Sequence, residues 1–301
     1  MSAVVVPYEE KYKEGVIACF RRNYSEMTHL SEEKLAAWAE PMFSYSWQDM
    51  PTSEEVPYKY GVVILDEGNV VGYLGFIYSK RPANGKTWLC ANCTTWAIDK
   101  GYRIYMFSAI KKAIKNVDIV LDLSAIGKVR ETLIKVFKFK IFEENIREFP
   151  PIPVLRNMIK LRDIKQTADI MDSVVRNEFI DHMPYPLYCV KAEKGGDSCY
   201  LFYKIKKRVK TKYFGHQKCI EILSISDRDF FSQHAHEIIW LLQKKEQAHL
   251  RCDSHFFNDH LLRYHGYAVH TGKRLLLNKT KQAFPVDYLY SEFAMLGNIN
   301  E

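Results

Sequence analysis

The sequence lacks the patterns of a transmembrane helix, a secretory signal, a disulfide framework and a zinc site. It contains no run of about 18 apolar residues, so it predicts no transmembrane helix. The first ten residues, Met1 to Glu10, have neither a basic stretch nor a long apolar one, which argues against a secretory signal. The seven cysteines are odd in number and scattered, which favours reduced thiols in a cytoplasmic protein over a disulfide framework. No cysteine and histidine set has zinc spacing, so we expect no metal.

The composition is that of a globular protein with a mild basic excess. Apolar residues make up 47% of the 301 positions, enough for a proper core, and charged residues make up 26%. The length predicts two domains or one large one. The net charge of +7 permits anionic ligands but does not demand nucleic acid, so a nucleic-acid partner is not expected.

The first half alternates between patterns typical of strands and of helices. We predict, in order, a strand at 4–6, helices at 8–22 and from Ser31 to about Pro41, a hairpin of 60–66 with 70–78, a strand at 88–98, a helix at 102–115, a strand at 118–123, a helix at 128–137 and a strand at 139–142. A strand–helix–strand segment requires a right-handed crossover and a partly parallel sheet. The pattern therefore predicts an α/β (α+β) fold.

A proline cluster, Phe149-Pro150-Pro151-Ile152-Pro153, divides the chain. We expect a domain at 1–149 and another at 154–301. The second half repeats the element order loosely, with a strand at 157–161, a helix at 164–176, a hairpin of 187–192 with 199–209, a strand at 219–225, a helix at 230–246, a strand at 249–252, a helix at 258–264 and a hairpin at 267–277 about Thr271-Gly272-Lys273.

Three segments carry a resemblance to a known family. Trp88–Ile98 followed by Asp99-Lys100-Gly101-Tyr102-Arg103 resembles the acyl-CoA segment of the GNAT superfamily of acyl-CoA N-acyltransferases. Tyr264-His265-Gly266-Tyr267 is similar to that family's closing motif, and Val286–Glu292 to the endings of GNAT-like proteins from bacterial surface-polysaccharide clusters. The resemblance implies two tandem GNAT-like domains, each a mixed central sheet flanked by helices.

The resemblance also implies a reaction: transfer of an acyl group, such as acetyl from acetyl-CoA, to an amine, with an amino sugar of a surface-polysaccharide precursor as one acceptor class. The first domain is expected to hold the acyl-CoA and the second to be degenerate. The residues expected to bind the acyl-CoA are Ala97, Ile98, Lys100, Gly101, Tyr102, Arg103 and Ser108. Because Ile104, Met106 and Ser108 replace the family's glycines, this expectation needs an open main chain past Ile98.

Asp122, Ser124 and Tyr264 are the candidate catalytic residues. Asp122 ends a buried apolar run, Val117–Leu123, with Ser124 beside it, and a carboxylate there could have a raised pKa and accept a proton. The alternative is a capping or turn role. Tyr264 stands at the family's general-acid position in the second half, and its alternative is a packed aromatic ring.

The basic segment Lys204–Lys212 is open to two interpretations. Period-two alternation predicts that Lys204, Lys206, Arg208, Lys210 and Lys212 share one face of a strand. That face could bind a nucleotide-sugar, a lipid phosphate or an acidic glycan, or the lysines could simply block edge pairing in water.

Two alternatives to the enzyme remain open at this stage. The first is a non-catalytic GNAT-fold binding or scaffold protein. The second is an aminoacyl-tRNA-using transferase, since such enzymes also pair two GNAT folds and the basic strand would suit tRNA.

Overall fold

The chain forms two compact units in a computed structural model that describes residues 2–151, 153–154, 158–211, 215–257 and 267–296. The first unit takes the described residues of 1–140, 274–285 and 290–301, and the second takes those of 141–273 and 286–289. The chain thus changes unit at Lys140/Ile141, ahead of the proline cluster, and the C-terminal residues contribute to both units. No helix among the described residues is both long and apolar enough to cross a membrane.

The described residues contain seven α-helices and twelve strands. The helices are α1 (Lys13–Asn23), α2 (Glu32–Ser44), α3 (Met106–Ala113), α4 (Gly127–Lys135), α5 (Ser173–His182), α6 (Arg228–Glu246) and α7 (Glu292–Met295). The strands are β1 (Val4–Pro7), β2 (Val62–Asp66), β3 (Asn69–Ala83), β4 (Lys86–Ile98), β5 (Ile119–Asp122), β6 (Lys140–Phe149), β7 (Lys160–Asp163), β8 (Tyr188–Lys194), β9 (Asp197–Thr211), β10 (Gly215–Ile225), β11 (His249–Asp253) and β12 (Tyr267–Asn278).

The first unit is a mixed sheet with helices on both faces. Its strand order is β1-β2-β3-β4-β5-β12, where β4 and β5 are parallel and the other neighbours antiparallel. Side chains alternate across each strand, so Tyr73 packs with α1 and α2 while the adjacent Leu74 packs with α3 and α4. This three-layer arrangement is the predicted mixed α/β fold.

The second unit repeats the same arrangement. Its order is β7-β8-β9-β10-β11-β6, and here too only the fourth and fifth strands, β10 and β11, are parallel. The sixth strand of each unit comes from the other half of the sequence: β6 follows α4 but pairs with β11, and the end of β12 pairs with β5. This exchange explains why the units do not divide at the proline cluster.

Local signals located most elements, with two errors. Ser31 caps α2 as predicted by accepting from Lys34 N at 3.3 Å, although the helix continues past Pro41 to Ser44. The helix predicted at 164–176 is wrong, because the helix begins only at Ser173, where the Asp172 carboxylate caps it. The hairpin predicted about Thr271-Gly272-Lys273 is also wrong: β12 is continuous there, so strand pairing prevails over a local turn signal.

Candidate functional site

The parallel strands β4 and β5 of the first unit diverge after four paired positions. They pair from Cys90 opposite Ile119 to Cys93 opposite Asp122, where β5 ends, while β4 continues to Ile98 against β3. At this point β4 has an extra residue, because Leu74 lies opposite Trp96 and Phe76 opposite Cys93. This β-bulge at Thr94–Thr95 bends β4 away from β5 and leaves a gap between them.

The main chain of Trp96 faces this gap. Hydrogen-bonded and non-hydrogen-bonded positions alternate along an antiparallel pair. Since Asp99 donates to Val71 O at 2.9 Å, the Leu74–Trp96 position is non-hydrogen-bonded, and both polar groups of Trp96 point away from β3. The Tyr24 hydroxyl meets them there: it donates to Trp96 O at 2.7 Å and accepts from Trp96 N at 3.0 Å.

Two buried carboxyl groups lie where the strands part. Asp122 is 2% exposed and Glu292, the first residue of α7, is 9% exposed. Burial, and next the charge of Glu292, raise the pKa of Asp122 to about 8. Burial likewise raises the pKa of Glu292, against the opposing effect of its hydrogen bonds. The pair is therefore suited to hold a proton near neutral pH, which isolated carboxyl groups cannot do.

Ser124 contacts both carboxyl groups, through different atoms. Glu292 Oε1 accepts from the exposed Ser124 hydroxyl at 3.0 Å, and the other oxygen accepts from Asn92 Nδ2. Asp122 Oδ1 accepts from Ser124 N at 3.2 Å. Arg274 holds the turn by donating to Leu123 O at 3.0 Å, and its charge opposes the rise in the pKa of Glu292. The Ser124 hydroxyl thus connects Glu292 to solvent.

Two buried polar atoms near the bulge lack a partner. Within the described residues, Thr94 Oγ1 and Asn92 Oδ1 have no hydrogen-bond partner. A buried polar atom without a partner costs about 1–3 kcal/mol. Thr94 Oγ1 lies against Gly75 of β3, on the side of β4 away from β5, whereas the Asn92 amide is bonded to Glu292. A polar ligand beside Glu292 would therefore relieve the cost at Asn92.

The turn after β4 is more open than its bulky residues suggest. Lys100–Tyr105 is a 3₁₀ turn that continues directly into α3. Ile104 is 73% exposed and does not fill the turn, whereas Met106 packs against the core and its N–H is bonded to Arg103 O. Because a helix leaves its first N–H groups unpaired, those of Lys100 and Gly101 are the ones an anion could reach.

The other predicted binding residues surround this turn. Lys100, Gly101, Arg103 and Ser108 are exposed, whereas Ala97 and Ile98 are buried at the end of β4. Tyr102 donates its hydroxyl to Asp66, and the Ser108 hydroxyl donates to Tyr105 O at 3.0 Å. Beside the turn, Arg22 pairs with Asp99 at 2.9 Å.

The second unit has the same gap, but its own chain fills it. β10 and β11 pair only from Cys219 to Glu221, and β10 has a bulge between Ile222 and Ser224. Tyr288 donates its N–H to Leu223 O at 2.8 Å and its hydroxyl to Asp253, the last residue of β11.

Arg228 closes the turn that follows β10. Its guanidinium lies over the Phe256 ring, 5.3 Å from the centroid, and donates to His255 O at 3.2 Å and Val286 O at 2.5 Å. Asp227, just before it, caps α6 by accepting from Phe230 N at 2.8 Å. At this turn of the second unit, the Asp227 carboxylate would repel an anion, and the Arg228 guanidinium is already bonded to main-chain oxygens.

The structure brings together some of the predicted catalytic residues and adds others. Asp122 and Ser124 lie together at the gap, while Tyr264 lies outside the described residues. Sequence reasoning missed Glu292 and Tyr24. Glu292 ends the Val286–Glu292 segment that had been singled out for its resemblance, but nothing in the sequence connects it to Asp122. In the described residues, no group of three histidine, cysteine or acidic side chains is arranged for a metal.

Among solved structures, the chain is similar to GCN5-related N-acetyltransferases. One from Anabaena variabilis matches with a TM-score of 0.58 at 10% identity, over 92% of this chain and 73% of that one. A probable N-acyltransferase from Enterococcus faecalis matches at 0.57 and 9% identity, over 91% and 72%. A GCN5-related N-acetyltransferase from Kribbella flavida matches at 0.56 and 10% identity, over 91% and 70%. No protein-family model and no curated protein matches the sequence. The chain therefore has the GNAT fold.

Proposed function

We propose that the chain is an acyl-CoA-dependent N-acyltransferase that works in its first unit, in the gap between β4 and β5. The observation that carries the proposal is the buried carboxyl pair, Asp122 and Glu292, at the point where these strands part. The GNAT fold agrees with this class of reaction, and the partnerless Asn92 Oδ1 beside Glu292 suits a ligand that can donate a hydrogen bond.

The turn after β4 is the proposed site for the phosphates. The N–H groups of Lys100 and Gly101 lie at a helix start, where the backbone carries partial positive charge. The exposed Arg103 adds a guanidinium able to form charge-assisted bonds. Ala97 and Ile98 would line the strand side, Tyr102 the helix side, and Ser108 the next turn.

Asp122 is the proposed general base. Its pKa near 8 is closer to the pKa of an amine than that of an ordinary carboxyl group is, so it is a stronger base toward the acceptor. Its ionised form takes a proton from the acceptor's ammonium group, so that the neutral amine attacks, and Glu292 with Ser124 passes that proton to water. When bound, acyl-CoA would supply the activated acyl group: the new C–N bond replaces the C–S bond, and the second proton of the amine leaves with the thiol.

Tyr24 is proposed as the residue that keeps the gap closed between reactions. Its hydroxyl both donates to and accepts from the main chain of Trp96, as one amide of a bound pantetheine arm would. We propose that a bound arm takes over these bonds.

The acceptor is proposed to be an amine, and an amino sugar is the first class to test. Its basis is the resemblance of Val286–Glu292 to surface-polysaccharide proteins. A cytoplasmic location is part of the same proposal, and the seven cysteines, which are all free and buried, agree with it.

The experiment is a thiol-release assay with acetyl-CoA and longer acyl-CoAs against a panel of amines that includes amino sugars and their nucleotide conjugates. We expect transfer by the unaltered chain, and a loss of at least about 100-fold in Asp122→Asn. Asp253→Asn, at the matching strand end of the second unit, is the control and should keep its activity.

Activity kept in Asp122→Asn but lost in Asp253→Asn would move the site to the second unit, and equal loss in both would contradict a role special to Asp122. An absence of acyl-CoA binding would leave the scaffold alternative. Transfer that requires aminoacyl-tRNA would favour the aminoacyl-tRNA-using transferase.

A further inference from the structure

A two-stranded β-ribbon extends from the sheet of the second unit. β9 pairs with β8 only up to Tyr203, opposite Tyr188, and β10 pairs with β11 only from Cys219 to Glu221. In the described part of the chain, 207–211 and 215–218 therefore pair only with each other. Five residues of strand extend about 17 Å at the usual rise.

A bulge in this ribbon redistributes its basic residues between the two faces. Val209 lies opposite Gln217 and Lys206 opposite Cys219. Between these two pairs β9 has two residues and β10 has one, so β9 carries one extra residue. The alternation predicted from sequence therefore breaks between Lys206 and Arg208. Lys206 lies on the face of the buried Cys219 and pairs with Glu221 at 2.5 Å.

The opposite face gathers basic side chains from both strands. Lys210 lies directly opposite His216, so the two share a face. Arg208 and Lys218 each lie two residues away along their strands and join the same face. All four are exposed, as is Lys207 within the bulge. We call these four, Arg208, Lys210, His216 and Lys218, the ribbon face.

Two cations of the ribbon face, Arg208 and Lys210, take part in no ion pair among the described residues. The whole segment 205–218 contains no aspartate or glutamate. Lys218 donates to a carbonyl oxygen, Glu246 O at 2.5 Å, and its charge helps to lower the pKa of the Glu246 carboxyl group. The uncompensated positive charge of the ribbon face therefore lies toward its outer end, at Arg208 and Lys210.

We propose that this ribbon binds the phosphate backbone of duplex DNA, with the ribbon face lying along the major groove. The major groove of B-DNA, about 12 Å wide, admits a two-stranded β-ribbon, whereas that of A-form RNA is too narrow. Basic residues two apart on a strand are about 6.8 Å apart, and each DNA strand presents a phosphate about every 3.4 Å along the axis.

The test measures binding of the full chain to a B-form DNA duplex of about 20 base pairs, between about 50 and 200 mM salt. Four cations, the ribbon face lysines and arginine with Lys207, predict a slope of log affinity against log salt near −3.6. The double variant Arg208→Glu/Lys210→Glu should bind at least about 10-fold more weakly and lose about two from the magnitude of that slope.

The matched control is Lys160→Glu/Arg162→Glu. These two exposed residues also lie two apart on a strand, β7, at the far edge of the same sheet, and their reversal changes the net charge equally. The control should bind DNA as the unaltered chain does, and thermal unfolding checks that both variants fold.

Three results would overturn the proposal. Equal weakening by both double variants would mean bulk charge rather than the ribbon. An RNA duplex bound as tightly as DNA would exclude groove docking. Vesicles containing phosphatidylserine, bound in preference to DNA and lost in the ribbon variant, would assign the ribbon to a membrane.

Discussion

Asp122 and Glu292 are two acids in a space with little water, and their chemistry follows from that. A buried carboxyl group resists ionisation, and a second carboxylate nearby raises the cost further. Asn92 and Ser124 stabilise the charge on Glu292 by hydrogen bonding, while Asp122 has only backbone N–H groups. The two residues therefore titrate as a pair, with Asp122 the group that stays protonated to higher pH.

The first prediction concerns stability against pH. The pKa of Asp122 is higher in the folded chain, about 8, than its ordinary value of 3.8, so folding favours the protonated form. Its contribution to stability is complete at acid pH and is lost as the pH rises through about 8.

Asp122→Asn removes this dependence. At high pH we expect the variant to exceed the unaltered chain in free energy of unfolding by on the order of 5 kcal/mol, as a pKa raised from 3.8 to about 8 implies, measured by urea denaturation. Parallel pH curves for the two proteins would contradict the burial argument.

The second prediction concerns the pH dependence of the rate. Glu292→Gln keeps the size of the side chain but removes the charge that raises the pKa of Asp122. The rate should rise with pH, because the base must ionise, and the variant should reach its maximum at lower pH. The measurement is a series of initial rates of thiol release across pH. A fall in rate with an unmoved profile would make Glu292 merely structural.

At the scale of elements, the two bulges matter most. β4 bulges at Thr94–Thr95 and β10 at the corresponding place, each where its pairing with the parallel neighbour ends. Gly75 on β3 accommodates the first bulge, since a Cβ there would overlap Thr94 Oγ1. The gap depends on this close approach of two strands.

The third prediction follows from that approach. Gly75→Ala should lower the free energy of unfolding by about 1–3 kcal/mol, because Thr94 is buried and cannot yield easily. Gly101→Ala is the control: its Cβ would meet nothing within 4 Å, so stability should change by less than about 0.5 kcal/mol. Chemical denaturation measures both variants. Equal stability of the two would mean that the bulge is easily remodelled.

The sequence predicts elements whose signals are local. The apolar run Val117–Leu123 located β5 and thereby Asp122, and Ser31 located the start of α2. It could not predict Glu292, because α7 has only four residues and shows no period. Nor could it predict the bulges, which shift the pairing by one residue without a change in composition. Without the bulge in β9, simple alternation wrongly placed Arg208 and Lys210 on the face of Lys206.

At the scale of the whole molecule, each unit needs both halves of the sequence. The first unit is completed by the end of β12 and by α7, and the second by β6 and the segment 286–289. A division at the proline cluster would therefore cut through both sheets.

The fourth prediction tests this exchange. The fragment 1–149 lacks the strand that pairs with β5 and the carboxylate of Glu292, so we expect it to aggregate or unfold when produced alone. Production together with 150–301 should restore a soluble pair. Circular dichroism and gel filtration give the measurement, and a monomeric fragment with a cooperative thermal transition would contradict the exchange.

The central claim is that the gap between β4 and β5 in the first unit receives acyl-CoA. The most direct measurement is a crystal structure of the chain with a non-reactive acyl-CoA analogue. We predict electron density for the pantetheine arm beside Thr94 and Trp96, with the Tyr24 hydroxyl displaced and the phosphates at Lys100 and Gly101. Density between β10 and β11, or an unchanged Tyr24–Trp96 contact with the ligand bound elsewhere, would contradict the claim.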